Sequence, residues 1–291
     1  MQKTYLFILL ASLCFLSFET QATVIFVHYS SSGTNTGASW TNAFTTLQPA
    51  LNAASAGDSI FIAEGTYKPT LDPSSGTASG NTRDYAFYLD KDIKIYGGFA
   101  GTETALRQRN STSNPVILSG DLGGNSPTTI TDDCYHVFIT EGLSSAAVLD
   151  GVTITYGNAN GSSSITYSGT TYSRGYGGGM SSYSSSPTLT NVTISGNTAS
   201  TNGGGIYNSS SNPTLNNLNI ISNSASNGGG IYTNNSLSLV NCNVLFNSAS
   251  TNGGGIYNNA STSTTTTLKN SIFFGNEQSS ASNRSAAGAD I

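Results

Sequence analysis

The sequence predicts an all-β fold, a parallel β-helix in which coils of about 25 residues stack into a solenoid behind one N-terminal capping helix. Gly triplets followed by Met or Ile recur at spacings of 26, 25 and 25 residues. A second phrase, which is apolar and ends in Asn, alternates with them. The triplets begin at Gly177, Gly203, Gly228 and Gly253, and the phrases end at Asn158, Asn197, Asn223, Asn247 and Asn276.

The return segment of each repeat distinguishes between two kinds of solenoid. The stretch from Leu215 to Asn223 also fits the template of a leucine-rich repeat, which returns through a helix. Here the return is NSASNGGGIYTNN, whose Gly, Asn and Ser residues oppose a helix. The pair Ile206-Tyr207 instead indicates an extra short strand. We therefore expect three short strands in each coil, around Ile206, around Leu215 and over Leu218 to Ile220.

The repeated Asn and Gly residues have predicted structural roles. Val192 and Ile194 lie two residues apart and so share one face of a strand, whereas a bend at Asn191 separates them from the preceding strand. Asn tolerates the left-handed backbone conformation, and stacked Asn amides can donate and accept hydrogen bonds from coil to coil. The Gly triplets indicate turns that need a positive φ or a close backbone approach. The same reasoning applies to the Asn residues of the next two coils, Asn217 and Asn241.

The N-terminal half predicts one helix and a set of less regular coils. Residues 42–54 form the helix: Asn42 is its cap, Phe44, Leu47 and Leu51 share one face, and Trp40 belongs to the same cap of the stack. Residues 69–82 and 159–176 are predicted loops, the second protruding from the stack. The predicted strands are Val24 to Val27, Ser59 to Ala63, Ala86 to Leu89, Ile93 to Tyr96, Val116 to Leu118 and His136 to Ile139.

The order of these segments predicts three parts and an exported protein. Residues 1–22 carry Lys3, an apolar run and a small-residue cleavage site, as a secretory signal does. Residues 23–150 are the cap and the irregular coils, and residues 151–291 are the regular repeats. The end of the chain reads as the start of another repeat, so we expect a truncated chain. No segment is long and apolar enough for a transmembrane helix.

Composition excludes several classes of partner and cofactor. The chain has ten Lys plus Arg, a net charge of -5 and two His, which argue against nucleic-acid binding and against a His-based metal site. No cofactor is expected, and Ca²⁺ is the one ion for which a candidate site exists. Cys134 and Cys242 lie about four coils apart, or roughly 19 Å at about 4.8 Å per coil, too far for a disulfide. Both are predicted to be free and buried.

The repeat phrases resemble those of a known group of surface proteins. Ile220-x-x-Asn223 and Phe273-x-x-Asn276, combined with Gly-Gly-Gly-Ile, are similar to the motif pair in the repeat region of chlamydial polymorphic outer-membrane proteins. Residues 39–69, 95–104 and 149–154 resemble exported bacterial β-helix surface proteins. The resemblance implies a right-handed parallel β-helix at the cell surface. The third Gly and the aliphatic residues in place of Phe depart from the chlamydial pattern.

Carboxylates that could support catalysis lie only in the N-terminal half. Polysaccharide lyases and hydrolases need paired carboxylates, or clustered Asp with calcium and a base. Residues 151–276 contain no Asp or Glu, whereas twelve of the fifteen acidic residues lie between Asp58 and Asp150. Asp121 with Asn125 is the candidate calcium site. The adjacent pair Asp132 and Asp133, and the pair Asp90 and Asp92, are the other acidic candidates, with solvated turns as the favoured interpretation of all of them.

Tyrosines in and beside the predicted loop are the candidate binding residues, because aromatic side chains stack on sugars and anchor protein partners. They are Tyr167, Tyr172, Tyr176 and Tyr183. The alternative is that this segment covers the side of the solenoid. Arg107 and Arg109 are interpreted as solvated turn residues, and His136 as a packed or edge histidine.

The sequence therefore predicts an exported, cell-surface or secreted β-helix scaffold for adhesion or binding, without catalytic activity. Its partner would be a polysaccharide or a surface protein. The alternative is a polysaccharide-active enzyme, similar to pectate lyases, or a carbohydrate-binding module.

Overall fold

The computed structural model describes residues 22–73, 75–78, 80–260 and 264–279. The predicted secretory signal lies outside the described residues apart from Ala22, and so does the predicted start of another repeat at the end of the chain. Among the described residues, no helix is long and apolar enough to cross a membrane.

Apart from one antiparallel hairpin, the described strands stack into four parallel sheets that surround one core. Sheet 1 contains Val24–Val27, Ser59–Ala63, Lys94–Phe99, Val148–Asp150, Thr188–Thr190, Thr214–Asn216, Leu237–Val240 and Thr266–Lys269. Sheet 2 contains Gly65–Tyr67, Val116–Ser119, Thr153–Thr155, Thr193–Ser195, Asn219–Ile221, Asn243–Leu245 and Ile272–Phe274. Sheet 3 contains Asn158–Ala159, Thr198–Ala199, Ser224–Asn227, Ser248–Asn252 and Glu277–Gln278. Sheet 4 contains Phe87–Leu89, Phe138–Glu141, Met180–Tyr183, Ile206–Ser209, Ile231–Thr233 and Ile256–Asn258.

A regular coil passes through sheet 4, sheet 1, sheet 2 and sheet 3 in that order. The prediction of parallel coils is confirmed, but the predicted count of three strands per coil is one too low. The fourth strand follows each Asn phrase, as in Thr198–Ala199. Its Thr, Ser and Ala residues have no alternating apolar pattern, so only pairing with the neighbouring coils reveals it.

Equivalent apolar residues of successive coils pair in register. Leu189 pairs with Leu215 in sheet 1, and Ile194 pairs with Ile220 in sheet 2. All four side chains are at most 1% exposed. The core is thus a set of aliphatic columns, each of which a single coil would leave open to water.

The turns confirm the predicted roles of Gly and Asn. Gly203 has a φ of 67°, and a Cβ there would lie 2.3 Å from the carbonyl oxygen of Ile206. No side chain fits that position without moving the backbone. Asn191, Asn217 and Asn241 have φ values of 53°, 58° and 56° at the corner between sheets 1 and 2.

The capping helix spans Leu47–Ala53, shorter than the predicted residues 42–54. Asn42 does not cap it, because its Oδ1 accepts hydrogen bonds from the backbone N and Oγ1 of Thr34. The helix packs against the first strands of sheets 1 and 4. Its Gln48 side chain accepts a hydrogen bond from the backbone N of Tyr88, so the helix covers the first coil as predicted.

The remaining N-terminal predictions are partly confirmed. Strands Val24–Val27 and Ser59–Ala63 have the predicted bounds, whereas Gly65–Tyr67 was missed. Trp40 packs against Phe26 with ring centroids 4.7 Å apart, as expected for a residue of the cap region. Two 3₁₀ helices, Thr82–Asp84 and Leu106–Gln108, lie between strands.

Candidate binding groove

The Asn residues of the repeats form a buried ladder. The Nδ2 of Asn197 donates to the Oδ1 of Asn223 at 3.0 Å, Asn223 donates likewise to Asn247 at 3.0 Å, and Asn247 to Asn276 at 2.9 Å. These side chains are 0 to 5% exposed. The predicted repeat residues therefore hold the coils together and lie out of reach of a ligand.

Asn158 lies one residue out of register with this ladder. It pairs with Thr198, and the neighbouring backbone N of Gly157 donates to the Oδ1 of Asn197 at 2.9 Å. The shift arises because the phrase from Leu149 to Asn158 contains one residue more than the later copies after the shared leucine.

Two of the predicted binding tyrosines lie in the interior. Residues 159–176 do not protrude as a loop, because Ser164–Tyr167 and Thr170–Ser173 form an antiparallel hairpin against sheet 4. Tyr167 is 1% exposed and Tyr172 is 0% exposed. The hydroxyl of Tyr172 donates to Glu141 at 2.9 Å, and burial raises the pKa of both phenols.

An ion pair fixes the hairpin to the solenoid. Arg174 contacts Asp84 at two points, with Nε to Oδ1 at 2.6 Å and Nη2 to Oδ2 at 2.9 Å. The hydroxyl of Tyr167 donates to the backbone oxygen of Asp84. Together with the burial of its tyrosines, these contacts show that the segment covers the side of the solenoid, which was the alternative interpretation.

The other two predicted tyrosines are half-buried. Tyr183 packs against the first of three paired tyrosines on the outer face of sheet 4, with ring centroids 5.6 Å apart. Successive rings of these three lie 5.2 Å apart and stacked, then 5.7 Å apart and tilted by 55°. A binding role for Tyr176 and Tyr183 stays a prediction. The three paired tyrosines were not predicted as binding residues, although Gly-Gly-Gly-Ile-Tyr recurs in the repeats: Tyr207, Tyr232 and Tyr257.

The candidate calcium residues Asp121 and Asn125 belong to one hydrogen-bonded turn. The carboxylate of Asp121 accepts hydrogen bonds from the backbone N of Gly124, Asn125 and Ser126 at 2.6 to 3.2 Å. Burial acts to raise the pKa of Asp121, but these donors outweigh it and the pKa is lowered. Asn125 contributes its backbone and not its side-chain oxygen. Within the described residues, no group of three or more His, Cys, Asp or Glu side chains is arranged to hold a metal.

An open groove with a volume of about 360 Å³ lies beside the corner between sheets 1 and 2. Residues 111–115 form one wall. Thr153, Thr193 and Asn219, which are paired neighbours on sheet 2, form the floor. The left-handed corner residues Asn191 and Asn217 line the other side. The groove runs along the stack, so successive coils each contribute a hydroxyl or an amide to it.

A chain of polar contacts links the corner amides to an ion pair. The Nδ2 of Asn217 donates to Asn191 at 2.6 Å, and the Nδ2 of Asn191 donates to Asp150 at 2.9 Å. Arg109 contacts the other oxygen of Asp150 at 2.5 Å. The prediction that Arg109 is a solvated turn residue is wrong, whereas Arg107 is exposed. Because the two charges neutralise each other, this end of the groove presents little net charge.

His136 and the two described cysteines are buried. His136 is 2% exposed, its Nδ1 lies 3.0 Å from the carbonyl oxygen of Gly177, and burial lowers its pKa to about 4. Cys134 and Cys242 are both free and buried. All three predictions are confirmed.

Stacked parallel strands around an aliphatic core, with an amide ladder inside and a polar groove outside, define a β-helix solenoid. The model of the family described as right handed beta helix region matches residues 136–290, more than half of the chain. The chain belongs to that family, which confirms the right-handed parallel β-helix predicted from the sequence.

Two further comparisons, with curated proteins and with solved structures, do not indicate an activity for this chain. No curated protein matches the chain. Among solved structures, the crystal structure of pectate lyase Pel9A is similar, with a TM-score of 0.44 and 16% identity over 93% of this chain. The alignment covers 57% of the pectate lyase chain, so this chain spans a little over half the length of that enzyme.

Proposed function

We propose that the protein is an exported, cell-surface or secreted β-helix scaffold that binds a neutral polysaccharide along its side without cleaving it. The observation that carries the proposal is the groove, in which hydroxyls and amides recur from coil to coil. The signal segment predicted in residues 1–22 supports export.

The chemistry of the groove suits a neutral, hydroxyl-rich polymer. Hydroxyls and amides both donate and accept hydrogen bonds, as the hydroxyls of a sugar do. Coils stack about 4.8 Å apart, a spacing of the same order as the rise of one sugar residue in an extended chain. A polyanion is disfavoured, because the protein has a net charge of -5 and the guanidinium of Arg109 is already paired with Asp150.

A second candidate function is polysaccharide cleavage, and the Arg109–Asp150 pair beside the groove favours it. Such chemistry needs an acid or base that is free to exchange a proton with the substrate. Here both oxygens of Asp150 accept hydrogen bonds, one from Arg109 and the other from Asn191. This engagement favours binding over cleavage.

Paired Thr→Val substitutions test the groove, since valine keeps the shape of threonine and the strand preference but removes the hydroxyl. Thr153→Val with Thr193→Val should weaken retention of the purified chain on insoluble neutral glycans at least tenfold, about 1.4 kcal/mol. Thr214→Val makes the same change at an exposed position of sheet 1 outside the groove and should leave retention unchanged. Equal retention of all variants would contradict the groove as the site.

A further inference from the structure

The outer face of sheet 2 changes character along the stack. In the coils that form the floor of the groove, the outward-facing residues of sheet 2 carry hydroxyl groups, as at Thr153 and Thr193. Over the following three coils, these columns and the adjoining corner gain apolar residues, first at Ile221. We call this region the apolar patch, and it consists of Ile221, Leu245, Phe246, Ile272 and Phe274.

The apolar patch is exposed, and Ile272 and Phe274 lie on the last described strand of sheet 2. Phe246 is 53% exposed, Ile272 is 58% exposed and Phe274 is 62% exposed. The rings of Phe246 and Phe274 meet edge to face with centroids 5.7 Å apart. These side chains point sideways from the solenoid, so they form a lateral surface. A contiguous apolar surface of a few hundred Å² marks an interaction site on a soluble protein.

Charges of opposite sign border the apolar patch. Lys269, at the end of a sheet 1 strand, lies on one side, and Glu277, at the start of a sheet 3 strand, lies on the other; both are exposed. A two-fold axis parallel to the solenoid axis would bring Lys269 of one copy opposite Glu277 of the other. A two-fold axis across the stack would instead oppose like charges. The border is thus self-complementary in one orientation.

We propose that the apolar patch binds a second copy of this chain, with the two solenoids parallel and related by a two-fold axis along their length. Residues 111–115 stand beside the outer face of sheet 2 at the groove, so the contact is confined to the later coils. The patch has five residues, far fewer than the roughly 20 to 30 per partner of a standard stable interface. The dimer is therefore weak and reversible, with a micromolar Kd.

Sedimentation velocity of the purified full chain over a range of concentrations tests the proposal. A concentration-dependent shift from monomer to dimer is expected, and Phe246→Ser with Phe274→Ser should remove it. Both serines occur in the same columns of earlier coils, at Ser222 and Ser195, so the coil accommodates them. Ile130→Ser, at a 47% exposed position elsewhere, is the matched control and should leave the dimer unchanged.

Charge reversal tests the orientation. Lys269→Glu and Glu277→Lys should each raise the Kd of the dimer at least fivefold, and the double variant should restore it. Lys94→Glu, at an exposed position of an early coil, should have no effect. The proposal is overturned if the protein is a monomer at all concentrations, or if the single charge reversals have no effect on the Kd. It is also overturned if the patch binds neutral lipid vesicles and the protein does not dimerise.

Discussion

The later coils and the earlier coils of this solenoid are held together in different ways. From Met180 onward, the same contacts recur in each coil: an aliphatic column, a Gly turn and the Asn ladder. Before it, individual contacts differ from coil to coil. Phe61 stacks on Phe99 with centroids 4.4 Å apart, and single ion pairs fix single segments. In the repeated coils, the same set of contacts stabilises each coil, whereas each irregular coil is stabilised by contacts that occur only there.

This difference explains where the charged residues lie. Most acidic residues lie in the earlier coils, among them the calcium candidate Asp121 and also Asp84 and Asp150. In the structure each is bound to a local partner, either a guanidinium or backbone N–H groups. Clustered carboxylates in the irregular half of a solenoid are therefore weak evidence for catalysis.

Removing one rung of the Asn ladder should have the largest effect on stability. Asn223→Ala leaves the backbone N of Asn197 and the carbonyl oxygen of Ile194 buried without these partners. The free energy of unfolding should fall by about 4 kcal/mol. Chemical denaturation measures it, and Asn212→Ala, at an exposed position, should change it by less than about 0.5 kcal/mol. Equal effects of the two substitutions would show that the ladder does not hold the coils.

The buried His136 should make the irregular half sensitive to acid. Its folded pKa of about 4 lies below the unfolded value of 6.5, so the unfolded state binds the proton first as the pH falls. Stability is fully present above pH 6.5 and should decrease by about 3 kcal/mol as the pH falls to about 4. Asp84 and Arg174 are the charged groups that act on this ring, in opposite directions.

Unfolding curves between pH 7 and pH 4 measure this effect. His136→Gln should remove that part of the pH dependence, and His28→Asn should retain it. If the pH dependence of stability is unchanged in His136→Gln, other titratable groups cause it.

Breaking the ion pair of the hairpin should have a smaller effect, confined to one segment. Arg174→Met leaves the carboxylate of Asp84, which is 4% exposed, without its cation. We expect a loss of about 2 kcal/mol and faster amide exchange in the hairpin, because Arg174 is itself partly exposed. Arg107→Met, on an exposed arginine, should change neither quantity. If exchange accelerates throughout the solenoid, the ion pair is not a local contact.

The smallest expected effect has the opposite sign. Ser222 has a φ of 56° at a corner where another coil has Gly196. Ser222→Gly should stabilise the protein by up to about 1 kcal/mol, because glycine adopts this conformation without strain. Ser250→Gly, outside the positive-φ positions, should destabilise it by a similar amount. Thermal unfolding distinguishes the two signs.

The regular coils could be predicted from the sequence because their repeat period of about 25 residues is visible in it. Gly203 and Asn217 have the predicted turn conformations, since only a few residue types tolerate them. The shift at Asn158 was missed because one additional residue in a loose copy moves the whole register. The sequence left the burial of Tyr172 as the alternative interpretation, because hairpin packing depends on Glu141 and Asp84, which are distant in the sequence.

The groove could not be predicted from a local motif. Its wall comes from residues 111–115 and its floor from Thr153, Thr193 and Asn219, which only the stacking register brings together. The pairing of Arg109 with Asp150 likewise joins two coils. A column of hydroxyl and amide residues in the aligned repeats was the one available signal, and it is weak because such residues are common throughout this chain.

The most direct test of binding without cleavage measures both in one sample. The purified chain is incubated with neutral and acidic polysaccharides, with Ca²⁺ or with a chelator, and both the protein retained and the sugar ends released are quantified. We expect retention on a neutral polysaccharide in both conditions and no released ends. Release of sugar ends, above all release that depends on Ca²⁺, would contradict the scaffold and establish a polysaccharide-cleaving enzyme.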